Sequence, residues 1–148
     1  MNPPDGYKLA RSQIEHENTL ISQRITWYLT LQGLLFTAFF VALGQIWDAK
    51  FPPPLRPHLA FAVWMLMLVG ASSSIVCYLL IRAAYRQIDA VQDWWLQQGA
   101  SPAFPPVTGQ GHVKAGGMAF SGAEFVLVLF FVWLGIAVRF APALPAIG

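Results

Sequence analysis

The sequence predicts an all-α integral membrane protein: three transmembrane helices with cytoplasmic helical extensions, assembled as an oligomer. Three observations predict it. Apolar side chains make up 56% of the 148 residues and charged ones only 11%, against roughly a quarter charged in an average globular protein. Two runs of 23 residues carry no charge at all, Ile25–Trp47 and Leu59–Ile81, and about 20 helical residues cross a hydrocarbon core. A third apolar run follows near residue 125. The same composition excludes a disordered tail, which needs low hydrophobicity and high charge. A net charge of +2 is too small for a protein that coats nucleic acid, and a single cysteine, Cys77, allows no internal disulfide.

The chain reads as one membrane domain over residues 1–148. Its first element is a cytoplasmic helix over 5–24, with Asp5 as N-cap and a thin apolar face of Tyr7, Ala10, Ile14, Ile21 and Ile25, interrupted at Glu17 and Asn18. Residues 1–24 are polar where a cleavable signal would have its apolar core, so the chain is expected to enter the membrane by its first span. That span, 25–47, continues the helix without a proline or glycine break. Trp27, Tyr28 and Trp47 stand at the positions of an aromatic belt.

The connector Asp48–His58 holds four prolines and is expected to be short and stiff. The second span, 59–81, meets no helix breaker before Gly99, so it is expected to continue as a cytoplasmic helix over 82–98. In this continuation Ile81, Ala84, Ile88, Val91 and Trp95 repeat at 3 and 4 residues, a heptad seam that wants a partner helix. The partner is helix 1, the same helix of another subunit, or both. Residues 99–121, rich in glycine, proline and alanine, read as a flexible loop. Ser121-Gly122-Ala123-Glu124 has the pattern of a capping box and starts a third span over 122–139, whose Arg139 snorkels at the far end.

Lysine and arginine set the orientation. Lys8, Arg11, Arg24, Arg82, Arg86 and Lys114 fall on one side, and Lys50, Arg56 and Arg139 on the other. The positive-inside rule then places the N-terminus in the cytoplasm and the C-terminus outside. No internal repeat suggests an inverted-repeat transporter.

Within the first span Thr26, Thr30, Gly33, Thr37 and Gly44 form one stripe of small, weakly polar residues. Such stripes let helices approach closely in lipid, and a stripe of this kind also suits a narrow water path. Close packing is the preferred reading. Gln32 lies on another face, with Phe36, Phe39 and Leu43. A carboxamide there needs a hydrogen-bond partner. It reads either as one inter-helix bond or, in a symmetric oligomer, as a polar ring below a phenylalanine gate. The candidate pore and gate residues are therefore Thr30, Gln32, Phe36, Phe39 and Phe40. Gly70, Ser72, Ser73, Ser74 and Cys77 in the second span read as close-packing positions. Lys8, Arg11, His16, Arg24, Arg82 and Arg86 serve topology and internal pairing on the simpler view, and an anionic ligand at the cytoplasmic mouth on the functional one.

Arg11-x4-His16 is similar to the ribonuclease motif of HEPN domains, here without the rest of a soluble HEPN bundle. No Ser-His-Asp set, Gly-rich phosphate loop or metal-ligand cluster stands in the sequence. Neither a catalytic activity, a cofactor nor a metal is expected.

The segment Glu15-His16-Glu17-Asn18-Thr19-Leu20-Ile21-Ser22-Gln23-Arg24-Ile25-Thr26-Trp27, continuing to Gln32-Gly33-Leu34-Leu35-Phe36-Thr37-Ala38, resembles small bacterial membrane effectors of anti-phage systems. Foremost is the Hailong effector, a channel paired with a nucleotidyltransferase that makes an oligonucleotide signal. The second resemblance is to the membrane pore partner of RNA-targeting CRISPR systems. It covers roughly residues 7–47. The resemblance implies an oligomeric channel in the bacterial inner membrane that kills or stalls the infected cell when triggered. It also implies a gating ligand of the oligonucleotide or cyclic-nucleotide class and a partner nucleotidyltransferase. Three spans are too few to enclose a pore alone, so a homo-oligomer of four or more subunits is expected, with the C-terminus periplasmic by the charge rule. The rival readings are a non-conducting scaffold that docks a partner through Ile88, Val91 and Trp95, and a membrane-tethered nuclease using Arg11 and His16.

Overall fold

The computed structural model describes residues 3–97, 122–140, 142 and 144. Its long elements are α1 (Pro3–Trp47), α2 (Arg56–Gln97) and α3 (Gly122–Phe140). All three are long and apolar enough to cross a membrane. At 1.5 Å per residue α1 is about 68 Å long and α2 about 63 Å, twice the hydrocarbon thickness of roughly 30 Å. The 19 residues of α3 give about 28 Å, a single crossing.

α1 is unbroken from the polar N-terminal stretch into the apolar run. It begins at Pro3, three residues earlier than an Asp5 cap requires, and Asp5 stands in its first turn. Proline suits this position because its missing N–H has no partner in a first turn anyway, and the Asp5 carboxylate faces the positive end of the helix dipole. Ser121 and the loop 99–121, with Lys114, lie outside the described residues.

The turn between α1 and α2 is built from backbone bonds and one arginine. The Asp48 N–H donates to Gln45 O (3.2 Å), the Phe51 N–H to Asp48 O (3.1 Å), and Asp48 Oδ1 accepts from the Lys50 N–H (2.9 Å). Pro53–Leu55 then make one 3-10 turn. Arg56 Nη2 reaches back to the carbonyls of Asp48 (3.2 Å) and Phe51 (3.4 Å). Arg56 therefore ties the connector shut in addition to its share in the charge balance.

Two apolar clusters fill the bundle. The first joins Ala10, Ile14, Ile21 and Tyr28 of α1 to Cys77, Ile81, Ala84, Ile88 and Trp95 of α2, with Ala123 and Val126 of α3. The heptad seam thus finds its partner in α1 of the same chain. Tyr7 meets Trp95 edge-on at 5.7 Å between ring centroids and ties the far end of this antiparallel hairpin. The second cluster joins Leu35, Phe39, Leu43 and Ile46 to Ala60, Val63 and Met67, with Trp133 of α3. Between the two clusters lies a polar layer.

Candidate functional site: a polar layer joining the three helices

The layer starts from Gln32, 2% exposed. Its Nε2 donates toward the α2 groups Gly70 O (3.1 Å), Ser73 Oγ (3.1 Å) and Ser74 Oγ (3.3 Å). Its Oε1 accepts from Trp133 Nε1–H of α3 at 2.6 Å. An indole N–H can only donate, so Trp133 fixes which way the carboxamide points. Ser73 and Ser74 each donate to Gly70 O, at 3.0 and 2.9 Å. With its proton so used, Ser74 Oγ accepts from the Tyr28 hydroxyl at 2.7 Å. Every polar side chain of the layer has a partner, as a lipid-embedded core requires.

Aromatic packing holds the indole in place. Phe36 stacks on Trp133 at 4.4 Å with the rings parallel to 1°, and Phe39 meets the same indole edge-on at 5.7 Å and 89°. The indole lies over Gly70 so closely that a Cβ on that residue would overlap it. Gly70 is the position where a small residue is required, and it also lends its carbonyl to the network.

The opposite face of α1 is different. Thr26, Thr30, Gly33, Thr37 and Gly44 are all exposed. A Cβ at Gly33 or Gly44 would meet nothing within 4 Å. The threonine hydroxyls donate one turn back along their own helix: Thr26 to Ser22 O (2.9 Å), Thr30 to Thr26 O (3.0 Å) and Thr37 to Gly33 O (2.8 Å). That leaves a line of oxygen lone pairs facing outward. Of the five residues considered for a pore, Thr30 and Phe40 lie on the exposed side, while Gln32 and Phe39 are buried and Phe36 is half-buried on Trp133.

The six basic candidates are spread along the hairpin. Lys8, Arg11, His16, Arg82 and Arg86 are exposed, and Arg24 is half-buried. Arg11 Nε pairs with Glu15 at 2.8 Å. That hydrogen bond, with a weaker one to Tyr7, raises the Arg11 pKa and keeps the guanidinium charged. Arg82 lies 6.0 Å from the Tyr78 ring centroid. Arg24 Nη1 donates to Leu80 O at 3.2 Å across the two helices. Among the described residues no three His, Cys, Asp or Glu side chains gather as metal ligands.

The chain matches no protein-family model, no curated protein and no solved structure. Its function is therefore argued from its own residues. Sequence reasoning placed Gln32 in need of a partner but missed Trp133 as the group that holds it. The signal was present: an indole N–H in the middle of an apolar run needs an acceptor as much as a carboxamide needs a donor. Tyr28, expected in the aromatic belt, is instead buried and bonded to Ser74; the pair was missed because each alone has a bland explanation.

Proposed function

We propose that the chain is the subunit of a homo-oligomeric membrane channel gated from the cytoplasm, with the exposed Thr/Gly stripe of α1 facing the conducting path. The observation that carries this reading is the contrast between the two faces of α1. The inward face is filled and satisfied, with Gln32, Phe39 and Val63 of α2 all at 2% exposure or less, which leaves no room for a water path past Gln32 among the described residues. The outward face offers small residues and unused oxygen acceptors at helical spacing, and a path between copies is where such a face would serve. On this reading Gln32, Phe36 and Phe39 position α1, whereas Thr30, Gly33, Thr37 and the neighbouring Phe40 line or close the passage. An oligomer of four or more copies is needed, because a single exposed stripe encloses nothing.

The gating signal belongs to the hairpin of α1 and α2 beyond the apolar runs, where Lys8, Arg11, His16, Arg82 and Arg86 are exposed and suit an anionic ligand. An oligonucleotide or cyclic nucleotide, a partner nucleotidyltransferase and a role in anti-phage defence in a bacterial inner membrane rest on the resemblance of residues 7–47. Of the three residues on which the scaffold reading rests, Ile88 and Trp95 are buried against α1 and Val91 is half-buried beside them, so little of that seam is left for a partner.

The test is ion flux from liposomes holding the purified chain, with and without short oligonucleotides and cyclic nucleotides. Flux that needs one ligand class, and that falls in Thr30→Leu and Thr37→Leu, supports the channel. Silence of a correctly assembled oligomer under every condition removes it. His16→Ala separates the nuclease alternative: RNA cleavage lost with flux intact would move the assignment to that class.

A further inference from the structure

A groove of about 400 Å³ runs along the seam of α1 and α2, lined by Arg24, Trp27 and Leu31 on one side and Val76, Cys77 and Leu80 on the other. This lies within the size range of small-molecule sites. Its walls are apolar, and its outer side is open, since Trp27 is 74% and Val76 56% exposed. One cation stands at its end. Arg24 immediately precedes the uncharged run that starts at Ile25, level with Leu80 near the end of the second apolar run. Among the described residues Arg24 forms no ion pair. Nη1 holds the Leu80 carbonyl, which anchors the side chain across the helices, and leaves other guanidinium donors for a ligand.

We propose that this groove is a binding site for one anionic phospholipid, its acyl chain lying between Trp27, Leu31, Val76 and Leu80 and its phosphate paired with Arg24. The charge complementarity decides the occupant. A zwitterionic lipid or an apolar helix would fill the walls equally well but would leave the arginine without a net counter-charge. Basic pockets between transmembrane helices take anionic headgroups for this reason, and the guanidinium fork matches phosphate oxygens in two-point geometry. Trp27 is the third residue of the uncharged run, a position where an indole is expected to sit against headgroups. The site is independent of whether the oligomer conducts ions.

The experiment uses the full chain, delipidated in detergent, titrated with phosphatidylglycerol and phosphatidylcholine of identical acyl chains and read by native mass spectrometry. The wild type is expected to bind phosphatidylglycerol about fivefold more tightly, the worth of one near-surface arginine against an anionic headgroup. Arg24→Gln should abolish that preference, and Arg24→Lys should keep most of it. Val76→Trp, which fills the groove and leaves Arg24 in place, should weaken both lipids. Glycerol phosphate, with the charge but no acyl chain, should displace neither. Equal binding of the two lipids by the wild type overturns the proposal. So does a preference that survives Arg24→Gln, unchanged binding in Val76→Trp, or displacement by glycerol phosphate. If Val76→Trp instead breaks the oligomer without altering lipid binding, the groove belongs to a second copy and the proposal fails.

Discussion

Replacing Gln32 by leucine tests the polar layer most directly. The carboxamide links α1 to α2 through Gly70, Ser73 and Ser74, and to α3 through Trp133. Interhelical hydrogen bonds in lipid average about 0.6 kcal/mol each, so losing the link to α2 costs about 0.6 kcal/mol. The group left behind costs more. The Trp133 indole, on a residue 1% exposed, would keep its N–H with no acceptor, at about 1–3 kcal/mol for an orphaned buried donor. Gln32→Leu should therefore destabilise the fold by about 2–4 kcal/mol. Trp133→Phe removes the orphan, so the double variant should be less damaged than the sum of the singles by about 1–3 kcal/mol. Reversible unfolding in mixed micelles, followed by far-ultraviolet circular dichroism, measures all three. Singles that add within about 0.5 kcal/mol, or a Gln32→Leu change of that size or less, would refute the reasoning.

Gly70→Ala should destabilise by about 1–3 kcal/mol through overpacking against Trp133, reversing the usual gain of about 1 kcal/mol when alanine replaces glycine in a helix; the same unfolding assay reads it. Gly33→Ala meets open space and should show that gain in the monomer, so a fall in oligomer content or flux would report contacts between copies. Trp95→Ala should cost the hairpin about 3–5 kcal/mol and speed amide exchange over residues 5–20 and 85–97, while exchange in the layer around Gln32 stays slow. Glu15→Gln should leave the thermal midpoint unchanged, because both members of the Arg11–Glu15 pair are more than half exposed and such pairs add little.

The three long apolar helices were legible because the physics that defines them is one-dimensional: an uncharged run of sufficient length to cross a membrane is read straight off the chain. The continuation of α2 to Gln97 was legible for a similar reason, since no breaker stands before Gly99. The heptad seam announced a need for a partner, and angular spacing alone could not choose between α1 and another subunit. The structure chooses α1 because the connector from Asp48 to Leu55 is too short for α2 to do anything but return along it. The polar layer was half legible. Gln32 declared itself, but its partners come from positions 38 to 101 residues away, and Ser73 and Ser74 satisfy their own helix while also serving another. The groove was not legible at all, because it is a shape between helices and depends on which face of α1 meets α2.

That choice of face links the layer to the outer stripe. Gln32 and Thr30–Gly33–Thr37 occupy opposite sides of one helix, so the bonds that turn Gln32 inward also turn the threonines outward. A rotation of α1 by one residue, about 100°, would withdraw the carboxamide from Trp133 and strand both groups in apolar surroundings. The layer thus fixes the azimuth of α1 more firmly than the aliphatic packing on either side, where leucines and valines exchange neighbours at little cost. Since α1 is continuous from Pro3 to Trp47, with no proline or glycine between Tyr7 and Gln32, a movement of the hairpin reaches the layer as a rigid displacement. On the channel reading, a ligand that shifts the hairpin acts on a lever whose fulcrum is Gln32. The cost of breaking that fulcrum, about 2–4 kcal/mol per subunit, then bounds what a gating ligand must supply if opening rotates α1. A tilt that keeps the Gln32–Trp133 bond requires far less, and a Gln32→Leu variant would distinguish the two. Rotation predicts a leaky channel with the fulcrum gone, and tilt predicts one that no longer answers its ligand.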